Sequence, residues 1–566
     1  MQHLSDDILK KAQRWLDPLF DATTQSEVTS LLAGDPERVE DAFYKSLAFG
    51  TGGMRGIMGP GDNRINKYTL GKATQGLAQY MHQVFPTQDK KVVIAYDCRH
   101  NSKALAQMVA QVFAANNIEA FVFSDLRPTP ELSFAVRHLG CQCGIVLTAS
   151  HNPPQYNGYK VYWQDGGQLV PPQDAAIIQR INALDYADIK FDASEHLIHQ
   201  IDQEVDQAFI GASLAAVTQQ TTSTQREDLK IVFTPLHGTS ITMVPPVLEK
   251  AGFKGLSIVA AQAVPDGDFP TVKSPNPEEP EALALAMEQA EREQADLVIG
   301  TDPDCDRLGI AVRDDQGQLQ LLDGNQAMIV KTHFLLEQYR KAGKLDQTFI
   351  ASTIVSTPMM RVLADHYGVT YREGLTGFKW IAKMVKDFPQ EHFIGGGEES
   401  FGYMVGDFVR DKDAVTASLL ICEIAAFQKA QGTSIWAYLQ SLYKKHGYFQ
   451  EVLISMVKQG RKGAEEIEDI MKSLREQPPK ELGGSAVRFV EDYQTQTQTD
   501  LTTGVQTPLD LPQSNVLIFN TEKGGKIAAR PSGTEPKIKF YISVRADDAE
   551  GLAPQIQQIK TDLRLV

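Results

Sequence analysis

The chain alternates short apolar runs with polar turns and with longer stretches whose apolar positions recur at helical spacing. Three segments repeat one plan. The first is the apolar run Lys91–Tyr96, the polar turn Asp97–Ser102, an amphipathic stretch to about Asn116 and the apolar run Ala120–Phe123. The second is Lys230–Phe233, the turn Thr234–Thr239, a helical pattern to about Ala251 and Leu256–Val259. The third is Phe349–Ser352, the turn Thr353–Pro358, a helical pattern to about Tyr367 and Val369–Tyr371. Each predicts strand, helix, strand, the pattern of a βαβ unit. Three in succession predict three related α/β domains.

From about Tyr448 the pattern changes. Phe449–Val457 reads as a strand, Gly463–Leu474 as a charged helix, and Asp548–Leu563 as an amphipathic helix, with short strands between. This predicts a smaller α+β domain. The polar stretch Thr495–Thr507 reads as a hairpin tip or an exposed loop. The domains are expected at 1–205, 206–322, 323–445 and 446–566.

Composition narrows the function classes. A length of 566 residues asks for several cores, and 42% hydrophobic with 22% charged residues is ordinary globular usage. A net charge of −16 speaks against nucleic-acid binding, which needs a basic surface. An anionic ligand would have to be met by a local basic cluster. Cys98, Cys141, Cys143, Cys305 and Cys422 form neither a disulfide framework nor a zinc pair, which fits a reducing cytoplasm. The start of the chain carries Leu4, Ile8, Leu9, Ala12, Trp15 and Leu16 at helical spacing, without the apolar core of a signal peptide. No apolar run is long enough to span a membrane.

The chemistry concentrates in a few turns. Ser150, in Thr148–Pro153, follows the apolar run Gly144–Leu147, and loops at such strand ends open onto the crevice where α/β proteins bind ligands. An isolated serine there reads first as a cap or an Asn-Pro turn. Asp302, Asp304 and Asp306 alternate in a turn after Asp296–Gly300 and can converge on a hard cation. An EF-hand is excluded, because its glycine and glutamate positions hold Arg307 and Arg313. The metal favoured is Mg²⁺, which takes a few carboxylates and a phosphate oxygen.

Arg530, Ser532, Gly533 and Thr534, with Lys537 and Lys539 nearby, offer a fork, hydroxyls and amides to an anion. Glu398 and Ser400, at the end of a run of glycines, suit the hydroxyls of a sugar. The glycine-rich stretch Phe49–Ile57 contains Arg55 but lacks the context of a dinucleotide fingerprint, and no Walker A sequence occurs. Lys160 and Lys379 are candidates for proton transfer or phosphate contact, since a lysine near other cations has a lowered pKa. His237 reads as a turn or packing residue.

In this order the segments resemble the α-D-phosphohexomutase superfamily along essentially the whole chain. The markers are Thr148–Pro153, Asp302–Arg307, Gly397–Ser400 and Arg530–Thr534. Phe49–Gly56, Asn157–Tyr162 and Gly406–Ala414 resemble its long phosphoglucomutase-2-like branch. The resemblance implies three α/β domains and a different C-terminal domain around a central cleft. It implies interconversion of glucose 1-phosphate and glucose 6-phosphate, with mannose or pentose phosphates as alternatives.

In the implied mechanism Ser150 carries a phosphoryl group and a 1,6-bisphosphate is the intermediate and activator. Ser150, Asp302, Asp304 and Asp306 hold Mg²⁺, with Arg55, His151 and Arg307 beside the phosphoserine. Lys160 is the leading proton carrier and Lys379 the second choice. Glu398 and Ser400 grip the sugar, and Arg530, Ser532, Gly533 and Thr534 hold the distal phosphate. The expected partners are small sugar phosphates, and the expected state is a monomer or dimer. A sugar-phosphate phosphatase or a non-catalytic sensor is the rival from a different class.

Overall fold

A computed structural model describes the chain except for residues 1–3, 51, 459, 533–536 and 566. It divides into two compact units. The first comprises residues 1–323, 382–389 and 401–432, and the second comprises 324–381, 390–400 and 433–566.

The first unit contains two sheets. The six-stranded sheet runs in the order Gly53–Ile57, Tyr156–Trp163, Cys143–Leu147, Lys91–Tyr96, Glu119–Phe123, Ile198–Ile201. Lys91–Tyr96 pairs in parallel with Glu119–Phe123 on one side and Cys143–Leu147 on the other. The helix Ser102–Ala115 makes the crossover. Parallel strands covered on both faces are apolar throughout, and every residue of Cys143–Leu147 is buried. The helix Lys67–Val84 joins the core on one face, with Leu70, Leu77 and Met81 packed on Val92, Ile94 and Ile145. On the other face Leu132 and Val136 of the helix Thr129–His138 pack on Val93 and Val146. Ahead of this sheet the helices Asp6–Arg14, Ala22–Leu32 and Pro36–Phe43 close over Trp15, Phe20 and Phe43.

The five-stranded sheet repeats the plan. Ile231–Thr234 pairs in parallel with Leu256–Ile258 and with Leu297–Thr301. Leu297–Thr301 then turns back antiparallel into Leu308–Arg313. The first sheet does the same, Cys143–Leu147 returning as the antiparallel strand Tyr156–Trp163. Thus Ser150 and the acidic loop occupy equivalent hairpins, each where a buried strand of its sheet turns back into an antiparallel neighbour.

In the second unit Thr348–Thr353 pairs in parallel with Thr370–Gly374 and His392–Gly397, the third copy of the plan. A separate antiparallel sheet runs Tyr448–Val457, Lys537–Ala546, Lys526–Pro531, Leu517–Thr521, Ser485–Asp492, Thr497–Asp500, Gln506–Pro508. The helices Gly460–Glu476 and Leu552–Asp562 supply Met471 and Ile556 to its core. Thr497–Asp500 and Gln506–Pro508 pair antiparallel, so the polar stretch expected as a tip or loop is itself a small hairpin.

A glycine locks the first of the two site hairpins. A Cβ on Gly158 would lie 2.4 Å from the carbonyl oxygen of Thr148 and 2.9 Å from that of Met54. Gly158→Ala is therefore expected to destabilise the first sheet by about 1–3 kcal/mol, the usual cost of overpacking. Thermal unfolding checks this, and an unchanged midpoint would contradict the close approach.

Candidate active site

Both hairpins in the first unit turn through a non-glycine residue in left-handed backbone conformation. Ser150 has φ 51° and Cys305 has φ 59°. Such a conformation costs about 1–2 kcal/mol per residue, so it persists only where surrounding contacts impose it. At Ser150 the amide donates to Oγ1 of Thr148 at 2.9 Å. The acidic loop is held from two sides. Thr239 donates its amide (2.7 Å) and its hydroxyl (2.9 Å) to the carbonyl of Pro303. Thr129 donates its amide to the carbonyl of Asp304 at 2.9 Å and its hydroxyl to Asp304 Oδ2 at 3.1 Å.

These restraints bring Asp302, Asp304 and Asp306 together with one carboxylate oxygen of each within 4.8 Å of the others. All three are buried. Asp302 Oδ1 accepts the amides of Asp306 and Arg307, each at 3.0 Å, and its Oδ2 accepts the hydroxyl of Ser150 at 2.6 Å. Asp304 Oδ1 and Asp306 Oδ1 are buried with no hydrogen-bond partner. Unsatisfied anionic oxygens converging on one point fit a hard divalent cation.

The same anions are balanced by protein cations. Lys160, only 13% exposed, places Nζ 2.6 Å from Asp304 and 3.1 Å from Asp306. Lys412 places Nζ 3.1 Å from Asp306 and 3.3 Å from Asp411. Arg307 lies 3.9 Å from Asp306 and also pairs with Glu278. The acidity follows this geometry. Burial, then the charges of Asp306 and Asp304, push Asp302 well above the usual carboxylate range. Burial pushes on Asp306 too, but Lys412, Lys160 and Arg307 outweigh it and hold its pKa low. For Lys160 burial disfavours the ammonium, yet Asp304 and Asp306 reverse the balance and raise its pKa. The expectation of a lysine depressed by neighbouring cations is thereby corrected, because its nearest partners are carboxylates.

His151 Nδ1 stands 3.1 Å from Ser150 Oγ. Burial, reinforced by Arg307 and Arg55, lowers its pKa to about 2, so its ring is neutral at neutral pH. Arg55, on the strand Gly53–Ile57, donates from Nη1 to Asn152 Oδ1 at 2.8 Å. His237 is buried in its own domain, with Nδ1 3.2 Å from the carbonyl of Val264 and Nε2 2.9 Å from Oγ1 of Thr271.

In the second unit Glu398 is buried and accepts the amide of Gly377 at 2.9 Å. Glu399 accepts the hydroxyls of Thr353 (3.1 Å) and Ser356 (3.0 Å). Ser400 and Lys379 are half-buried, and Lys379 Nζ lies 5.5 Å from the centroid of the Trp380 ring. Arg530, next to last in the strand Lys526–Pro531, pairs opposite Lys539. The Ser532 amide donates to the carbonyl of Lys537 at 2.7 Å. Gly533 and Thr534, expected in the phosphate cradle, lie outside the described residues. The Tyr541 hydroxyl is pushed up to about 12 by burial first and Glu399 second, while Arg530 works in the opposite direction. Arg530 and the acidic end of the sugar loop therefore act on one phenol.

Lys412 and Thr129 also reach the acidic turn, and neither stands in a motif of its own. Lys412 lies between Asp411 and Asp413 inside a stretch that had drawn notice only for its resemblance. Its isolation among carboxylates was the available signal. Thr129 had none, because its contact with Asp304 spans 175 residues.

Comparison with known proteins places this site in a class. Phosphoglucomutase/phosphomannomutase, alpha/beta/alpha domain I matches residues 46–188, domain II matches 209–317 and domain III matches 323–446. A phosphoglucomutase of Staphylococcus epidermidis is 37% identical over 549 residues, 96% of this chain and 98% of that protein. One from Staphylococcus aureus is 38% identical over 518 residues, 91% of this chain and 93% of that protein. The open-form crystal structure of parafusin, a phosphoglucomutase of Paramecium, shares the fold with a TM-score of 0.67 at 17% identity, covering 92% of this chain and 95% of that one. The family models and the relatives define a phosphohexomutase, an isomerase that moves phosphate within a sugar phosphate. The chain belongs to the phosphoglucomutase/phosphomannomutase family.

Asp304→Asn removes one of the two unpaired anionic oxygens and is expected to weaken Mn²⁺ binding by about 10–100-fold, the range seen when a site's supporting ligands are altered. Electron paramagnetic resonance of free Mn²⁺ measures this. Unchanged affinity in a folded variant would rule the triad out as the metal site.

Proposed function

We propose that the protein interconverts glucose 1-phosphate and glucose 6-phosphate, with Ser150 as phosphoryl carrier. The observation that carries the reading is the Ser150 hydroxyl 2.6 Å from a carboxylate of a buried acidic triad that has unsatisfied oxygens. Asp302, Asp304 and Asp306 would hold Mg²⁺ together with an oxygen of phospho-Ser150. When bound, the ion neutralises charge on the transferring group.

The remaining work belongs to side chains. Arg55 and Arg307 stabilise the phosphoryl oxygens, and neutral His151 stays a hydrogen-bond partner of Ser150 instead of adding another cation. A sugar hydroxyl attacks phosphorus as the bond to Ser150 Oγ breaks. Lys160, whose ammonium form Asp304 and Asp306 favour, gives its proton to the departing serine oxygen and takes up the proton of the attacking hydroxyl, so its charge is unchanged over the half-cycle. The resulting 1,6-bisphosphate returns its other phosphate to Ser150 by the same steps, so it serves as both intermediate and activator. Glu398 and Ser400 hold hydroxyls common to both poses. Arg530, Ser532, Gly533 and Thr534 hold the distal phosphate, with Lys379 as a further cation for it. Burial of Ser150 keeps water from the phosphoserine.

No helix among the described residues is long and apolar enough to cross a membrane, and all five cysteines are free thiols. With small phosphosugars as substrates, the reading places the work in the cytoplasm.

The test supplies glucose 1-phosphate, Mg²⁺ and a trace of glucose 1,6-bisphosphate, then follows glucose 6-phosphate and free phosphate. Glucose 6-phosphate without phosphate release is expected, and Ser150→Ala should reduce it to background in a folded protein. Release of phosphate would indicate a hydrolase, and binding without turnover a sensor. Turnover of mannose or pentose phosphates in preference to glucose phosphates would move the substrate assignment within the family.

A further inference from the structure

We infer that Arg99 is the positioning residue that holds the Ser150 loop in its reactive shape. Arg99 stands in the turn that follows the central strand Lys91–Tyr96, and both its side chain and that of Asp97 are fully buried. Its two Nη groups each serve two carbonyls, while Nε makes no hydrogen bond. One Nη donates to the carbonyls of Ser150 (2.6 Å) and Asn152, and the other to those of Pro153 (2.8 Å) and Tyr156 (3.0 Å). Nε faces Asp97 Oδ2 at 3.4 Å. Asp97 is itself fixed by the Arg99 amide (2.9 Å) and the Ser102 hydroxyl (2.8 Å).

The second domain covers the group from outside. The Phe269 ring centroid lies 5.0 Å from the guanidinium carbon. A Cβ on Gly267 would come within 2.9 Å of the Cys98 carbonyl oxygen and the His100 amide nitrogen, so the covering loop approaches closely.

Four carbonyls converging on one buried point repel each other unless a planar cation lies between them. Arginine presents five N–H groups in a fixed fork, whereas lysine has three on one tetrahedral nitrogen. The loop therefore curls around Arg99, and this curl sustains the left-handed turn at Ser150 that aims its hydroxyl at Asp302. Arg99 donates only to backbone carbonyls and touches neither the triad nor the reacting oxygen, so its role is exerted through the loop.

The inference rests on Ser150 being the phosphoryl carrier, and its test separates the two. Full-length wild type and Arg99→Lys are mixed with glucose 1,6-bisphosphate and Mg²⁺, quenched, and scored by intact and peptide mass for phosphate on Ser150. Mn²⁺ affinity and amide hydrogen exchange are measured in parallel. The variant is expected to phosphorylate Ser150 about 100-fold more slowly, the penalty for a small misplacement of a reacting group. Mn²⁺ affinity should be retained, and faster exchange should be confined to residues 149–157. A wild-type rate, or exchange that quickens throughout the sheet, overturns the positioning role. Failure of wild type to acquire phosphate on Ser150 overturns the carrier reading and this inference with it. Should Arg99→Lys not fold, Phe269→Leu leaves all five donors in place and thins their cover. Faster exchange confined to 149–157 then supports the role, and unchanged exchange overturns it.

Discussion

Three carboxylates with oxygens inside 4.8 Å, all withdrawn from water, repel one another strongly, and the structure is arranged around that repulsion. Lys160, Lys412 and Arg307 supply the opposing charge, and the amides of Asp306 and Arg307 supply two more donors. Two of the anionic oxygens, Asp304 Oδ1 and Asp306 Oδ1, are still left without a hydrogen-bond partner. The Ser150 hydroxyl is tied to this cluster, which makes it a different group from a serine on an open loop.

The repeated α/β plan explains how the cluster forms. In two sheets of the first unit, a buried parallel strand reverses into an antiparallel partner, and the reversing turn carries Ser150 in one and the acidic triad in the other. A rigid strand on each side of the turn lets it hold a strained residue, Ser150 in one case and Cys305 in the other. Thr129 and Thr239 then brace the acidic turn through backbone carbonyls, leaving the carboxylates to converge. Net acidity and anion binding are compatible here because the basic groups are local: Arg55 and Arg307 near the serine in one unit, Arg530 in the other.

Much of this was legible in the sequence because hydrophobic period and turn chemistry are local. The three strand–helix–strand units appear within a few residues of their expected limits, and the alternation of Asp302, Asp304 and Asp306 pointed to a shared ligand. What escaped was set by contacts between distant segments. Lys412 reaches Asp306 across about a hundred residues of chain, and Thr129 reaches Asp304 across more. Arg99 lies in a stretch that reads only as the polar turn between strand and helix, because nothing local shows that four carbonyls fifty residues away converge on it. The acid–base state of Lys160 was also beyond sequence, since it depends on which charges lie nearest. At Thr497–Pro508 the sequence marks a tip or loop but not the paired strands beside it, because its threonines and glutamines carry little apolar alternation.

The central claim is that Ser150 and the acidic triad form one phosphoryl-transfer centre. Electron–nuclear double resonance on the Mn²⁺-loaded protein, phosphorylated by glucose 1,6-bisphosphate, tests it most directly. A resolved ³¹P coupling to the manganese is expected in wild type and should be lost in Ser150→Ala. Manganese bound at the triad beside phosphorylated Ser150 without such a coupling would contradict it.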